Sequence, residues 1–148
     1  MTRISSETAI HNLIARYSFL VDDGDFDGLG ELLAACAFTL GDGPAVQGKN
    51  AIVQLARSAL QTYDDGTPRT RHITTNILIE IDEAAGTAQS RSYYTVLQSL
   101  PDFPLQPIAC GTYRDRFERY EDGWRFAARK VQMRFAGDTS RHRRKASA

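Results

Sequence analysis

Cysteine is nearly missing from this chain: Cys36 and Cys110 are the only two in 148 residues. They form no Cys-x-x-Cys pair, so they read as reduced, packed thiols and not as a disulfide framework. Net charge is missing too. Eighteen basic residues balance eighteen acidic ones, so no overall field recruits nucleic acid or an anionic membrane. No apolar run approaches the roughly 20 residues needed to span a bilayer, and the opening "MTRISSETAIHNLIARY" lacks the unbroken apolar core of a signal peptide. These absences lead us to expect a soluble, cytoplasmic protein with neither nucleic acid nor membrane as partner.

Familiar chemical motifs are lacking as well. There is no Gly-x-Ser-x-Gly elbow and no glycine-rich phosphate loop. The histidines, His11, His72 and His142, are scattered without ligand spacing. The stretch "DDGDFDG" opens like a calcium loop with Asp23, Asp25, Asp27 and Gly28, but the twelfth position, which needs a bidentate glutamate, is Ala34. Neither a metal nor an organic cofactor is expected.

What is present is apolar periodicity. The chain is 42% hydrophobic, enough for one domain with a real core. Ile10, Leu13, Ile14, Tyr17 and Val21 recur at helical spacing, with Ser5 or Ser6 as cap, and predict a helix over 6–22. Phe26, Leu29, Leu32 and Leu33 mark a second, shorter helix, and Ile52, Leu55, Ala56 and Ala59 a third. Beyond "TYDDGTPR" the period becomes twofold. Ile73, Thr75, Ile77, Ile79 and Ile81 alternate with His72, Thr74, Asn76, Leu78 and Glu80, and three further runs, "AQSRSYYTVLQS", "IACGTYRDRFERY" and "WRFAARKVQMRF", behave alike. Three helices followed by four long strands predict an α+β domain with the helices packed on one face of a mostly antiparallel sheet. One face of the first long strand is expected to line a cavity while its isoleucines serve an oligomer contact, unless a bulge swaps the assignment along the strand. "LPDFPLQP", with Phe103, reads as an irregular lid or pocket wall, and residues 138–148 as a frayed basic tail after a domain spanning 1–137.

Acid–base chemistry is what these residues leave open. Histidine is the usual base near neutral pH, held in the useful tautomer by a carboxylate on its other nitrogen. His72 opens the first long strand and Asp22 ends the first helix beside the stripe of Tyr17 and Val21. The two meet if that helix lies across the sheet.

The order of elements, "YSFLVDD" late in the first helix, "TRHITTN" opening the first long strand and the closing "GTYRDRFERYEDGWRFAARK", resembles the SnoaL-like members of the NTF2-like superfamily over about residues 5–135. The resemblance implies a cone, in which a strongly curved sheet wraps a deep cavity closed by the helices. Scytalone dehydratase, bile-acid 7α-dehydratase and hexachlorocyclohexane dehydrochlorinase belong to this group, as do non-catalytic beta subunits of ring-hydroxylating dioxygenases. In the enzymes an aspartate late in the first helix orients a histidine that removes a carbon-bound proton, and the matching positions here are Asp22 and His72. Tyr17 and Arg129 match a tyrosine and an arginine that handle substrate oxygen and developing charge. Tyr94, Tyr113, Asn76 and Phe103 complete the expected substrate contacts. The pattern also departs from scytalone dehydratase, with Val21 and either Phe38 or Leu40 where that enzyme has two tyrosines, and Tyr93 or Tyr94 near the place of its second histidine. The resemblance therefore implies a cofactor-independent lyase or isomerase for a hydrophobic cyclic small molecule, working as a homo-oligomer (dimer or trimer). The alternative is a non-catalytic binding or assembly subunit.

Overall fold

The computed structural model describes residues 3–145. Its elements are α1 (Ser6–Asp22), α2 (Phe26–Leu32), β1 (Ala37–Leu40), α3 (Lys49–Ala59), β2 (Thr70–Asp82), β3 (Thr87–Leu100), β4 (Phe103–Tyr120) and β5 (Gly123–Ala136). The strands form one mixed sheet in the order β1-β5-β4-β3-β2, antiparallel except where β1 runs parallel to β5. β1 is an addition to the four strands expected. At four residues it is too short to declare a period. Among the described residues no helix is long and apolar enough to cross a membrane.

The helices start and stop where local chemistry allows. Ser5 caps α1, its hydroxyl accepting from the Thr8 N–H at 3.1 Å, and Asp25 caps α2 through the Gly28 N–H at 2.9 Å. Gly24 ends α1 with φ +70°, and a Cβ there would stand 2.1 Å from the Gly66 carbonyl oxygen. A glycine thus lets the loop before β2 close onto the end of α1, which sets Asp22 beside the first residues of β2. Ile10, Ile14, Leu33, Ile52, Ile108, Phe117 and Phe126 are almost fully buried between helices and sheet.

Three expectations need correction. The alternation of β2 does not hold along the strand, because the register with β3 slips between Thr75 and Leu78. Asn76 takes φ +56° at the slip, one residue is left over, and the inward face changes from His72 and Thr74 to Ile77, Ile79 and Ile81. "LPDFPLQP" is not a loop. Leu100 pairs with Phe103 across a two-residue Pro101–Asp102 turn, and β4 continues through Pro104 and Pro107. Proline is tolerated there because β5 pairs with β4 only from Ala109 onward, which leaves one side of residues 103–108 without a ladder. Nor do residues 138–145 fray; they cross back to the end of α3, where Gln61 N–H donates to the His142 carbonyl at 2.8 Å and Arg144 N–H to the Ala59 carbonyl at 2.9 Å. The rest of the expected tail, 146–148, lies outside the described residues.

Candidate active site

α1 lies over the start of β2 and over β5, so its last turn carries Asp22 onto the inward face of the sheet. Asp22 is 6% exposed and fully used. One carboxylate oxygen, Oδ1, meets His72 Nδ1 at 2.6 Å and accepts from the Thr70 hydroxyl at 2.8 Å. The other, Oδ2, accepts from the His72 backbone N–H at 2.8 Å. Burial works against ionisation of Asp22, but the hydrogen bonds and charge of His72, helped by Thr70, prevail and hold its carboxyl below the usual range. An ionised Asp22 keeps the ring proton of His72 on Nδ1. Nε2 then carries the lone pair and has no protein partner among the described residues.

His72 opens into a cavity of about 640 Å³, within the size range of small-molecule sites. The helices supply Val21, Leu29, Leu33, Ile52 and Ala56 to its wall, and the sheet supplies Tyr94, Val96, Tyr113 and Val131. Tyr17 and Phe38 complete an aromatic side. Tyr94 stacks on Tyr113 with ring centres 4.6 Å apart, and Tyr17 meets Tyr113 edge-on at 5.7 Å. Burial pushes the Tyr17 phenol up to about 12 and raises those of Tyr94 and Tyr113 as well. All three hydroxyls therefore stay protonated at neutral pH, and none has a hydrogen-bond partner among the described residues. Each can donate to a bound oxygen.

The other expected residues are placed differently. Arg129 is completely buried and makes two hydrogen bonds to Asp115, at 2.8 and 3.1 Å. Its guanidinium lies 3.7 Å from the centre of the Tyr113 ring and 4.2 Å from that of Tyr17. It supports the tyrosines from behind and is not on the cavity wall, and its charge is already balanced by Asp115. Asn76 sits exposed at the β2 bulge, where its side chain serves the positive φ and not the cavity. Phe103 is buried beside the β3–β4 turn and does not line the cavity. The structure thus joins His72, Asp22, Tyr17, Tyr94 and Tyr113 in one place and leaves Arg129, Asn76 and Phe103 out of it.

Thr70, His142 and Arg143 were missed from sequence. Thr70 had a signal, since it lies two residues before His72 on the same strand face. His142 and Arg143 had none, being in an aperiodic basic stretch. They line the cavity mouth, with the ring of His142 6.2 Å from that of His72.

A curved sheet closed by helices over an apolar cavity with an Asp–His pair in its wall defines a class of small-molecule pocket proteins. The chain belongs to the SnoaL-like domain family, which matches residues 2–130. Its solved relatives share the fold. A Mycobacterium tuberculosis protein of unknown function, Rv3472, is 26% identical, with 86% of this chain and 71% of that one covered at a TM-score of 0.70. An NTF2-like protein with a cystatin-like fold from Novosphingobium aromaticivorans is 21% identical, covering 92% and 86% at 0.73. A protein from the same organism, provisionally named a scytalone dehydratase, is 19% identical, covering 89% and 86% at 0.68. No curated protein matches the sequence.

Proposed function

We propose that this protein is a lyase or isomerase that removes a carbon-bound proton from a hydrophobic cyclic small molecule, with His72 as base and Asp22 as its partner. The observation that carries this reading is the 2.6 Å contact between His72 Nδ1 and Asp22 inside an apolar cavity. A carboxylate hydrogen-bonded in three ways, beside an imidazole whose second nitrogen is open, costs more to bury than an apolar pair. A purely structural wall does not call for it.

The reaction follows from these groups. Nε2 of His72 takes a proton from a carbon next to a carbonyl, and the electron pair moves onto that oxygen. The imidazolium formed is stabilised by ionised Asp22. The Tyr94, Tyr113 or Tyr17 hydroxyl donates to the developing oxyanion. Returning the proton to another carbon conjugated with the enolate gives isomerisation; if the electron pair instead expels a hydroxyl from the β-carbon, that group leaves as water with the proton His72 took, and the result is dehydration. The relative provisionally named a scytalone dehydratase is in keeping with the second outcome.

The test is solvent deuterium exchange into 2-tetralone and related fused cyclic ketones, followed by NMR. Wild type should exchange the activated positions faster than buffer, and His72→Ala should lose about 10²–10⁴-fold of the enhancement. Equal enhancement by wild type and His72→Ala would remove the base reading and leave a binding or assembly role.

A further inference from the structure

The cavity holds a second polar group, beside His72, that arrives with the last described residues. Residues 138–145 form a strap sewn to the body from both sides. The Gln61 amide donates to the Ser140 and Arg143 carbonyls at 2.9 and 2.6 Å, Gln98 donates to the Arg141 carbonyl at 3.0 Å, and the Tyr63 hydroxyl donates to the same carbonyl. Arg141 pairs with Asp102 at the β3–β4 turn, at 2.5 and 3.1 Å. These anchors use backbone groups and Arg141. The side chains of His142 and Arg143 take no part in them.

Those two side chains line the cavity. His142 Nδ1 is buried without a hydrogen-bond partner among the described residues, a desolvation cost that nothing in the fold offsets. Arg143 forms no ion pair among the described residues, and its Nη2 has only the sulfur of Met133 at 3.8 Å. Burial, then the neighbouring His72 and Arg143, lowers His142 to about 4; the fixed charges that line the cavity are then Arg143, Arg144 and Asp42, and Arg144 gives its Nε to the Leu60 carbonyl at 2.7 Å. With Arg129 neutralised by Asp115 behind the tyrosines, Arg143 is the lining cation whose guanidinium bonds no oxygen among the described residues.

We propose that the strap makes an anion receptor of the cavity mouth, in which Arg143 and His142 bind an acidic oxygen, such as a carboxylate, on a cyclic substrate whose reacting carbon faces His72. The assignment rests on the reading of this cavity as the place where His72 works. The guanidinium matches a carboxylate by charge and by paired N–H groups, and a neutral imidazole adds a hydrogen bond without competing for the proton that His72 takes. The apolar walls and the Tyr94–Tyr113 stack then hold the ring.

Calorimetric titration with 2-naphthoate and with 2-naphthalenemethanol, the same ring without the charge, tests it. Wild type should bind the carboxylate about tenfold more tightly than the alcohol. Arg143→Gln should abolish that preference while leaving the affinity for the alcohol unchanged, and Arg143→Lys should keep part of it. Binding of naphthoate should also shift the His142 ring nitrogens in a histidine-selective NMR spectrum. Equal affinity for the two compounds, no binding of either at millimolar concentration, or a preference that survives Arg143→Gln overturns the proposal. His72→Ala separates it from the base reading: a protein that keeps the carboxylate preference, with exchange that never depended on His72, would leave the receptor standing and the base refuted.

Discussion

Acid should release the strap, with His142 as the trigger. The docked imidazole is lowered from 6.5 to about 4, first by burial and then by His72 and Arg143, with only Asp22 opposing. Undocked in water, it takes its proton near the ordinary value. Between about pH 6.5 and pH 4 the undocked state therefore binds more protons, and docking must weaken as pH falls through this window. The gap of about 2.5 units is worth about 3 kcal/mol at most. This is as large as the gain from several of the strap's hydrogen bonds. The carboxylates nearby do not confuse the reading. Hydrogen bonds from Arg141 hold Asp102 below its ordinary value, and those from Ser140 do the same for Asp138, so both titrate below the window. The assay is amide hydrogen exchange of Gln61 and Arg144, whose N–H groups hold the strap to α3, corrected for the intrinsic pH dependence of exchange. Their protection should fall by up to about two orders of magnitude from pH 7 to pH 4. In His142→Phe it should stay flat. Constant protection in wild type, or the same loss in His142→Phe, refutes the argument.

Two further expectations concern stability. Arg129→Met leaves Asp115 buried and unpaired and should cost about 3–5 kcal/mol in urea unfolding, whereas adding Asp115→Leu should recover most of that loss; a single-variant cost under about 1 kcal/mol would mean that water reaches the pair. Asn76→Gly should be near neutral, because the position needs φ +56°, while Asn76→Val should cost about 1–2 kcal/mol and disturb the β2–β3 register in NMR; equal stability of the two variants would show that the bulge is not held by this residue.

Periodicity was a good guide wherever one face of an element packs on a continuous core. α1 is bounded as its apolar spacing and Ser5 imply, and the helices precede a mostly antiparallel sheet. It misled where the backbone breaks the period. At the β2 bulge one extra residue reverses every later side chain, so a single run of isoleucines serves two faces, with Ile73 outside and Ile77, Ile79 and Ile81 inside. In β4 the prolines argued for a loop, but an edge without a second partner has no use for their missing N–H groups. The closing strap was illegible for a different reason. It is held by carbonyl groups accepting from Gln61, Tyr63 and Gln98, and backbone carbonyls are the same in every sequence.

The two buried aspartate pairs show why matched positions alone do not assign roles. Both Asp22–His72 and Asp115–Arg129 sit on the inner side of the sheet with contacts below 3 Å. Arg129 gives two nitrogens to its carboxylate and lies under the rings of Tyr17 and Tyr113, so no ligand can reach its charge without displacing the aromatic wall. It stiffens the tyrosines whose hydroxyls face the cavity. His72 gives one nitrogen to Asp22 and has a second that the same contact turns into an acceptor. The imidazole can therefore be held and remain reactive, because its two nitrogens divide the tasks, whereas the guanidinium, once doubly bonded and covered, has only structure left to serve.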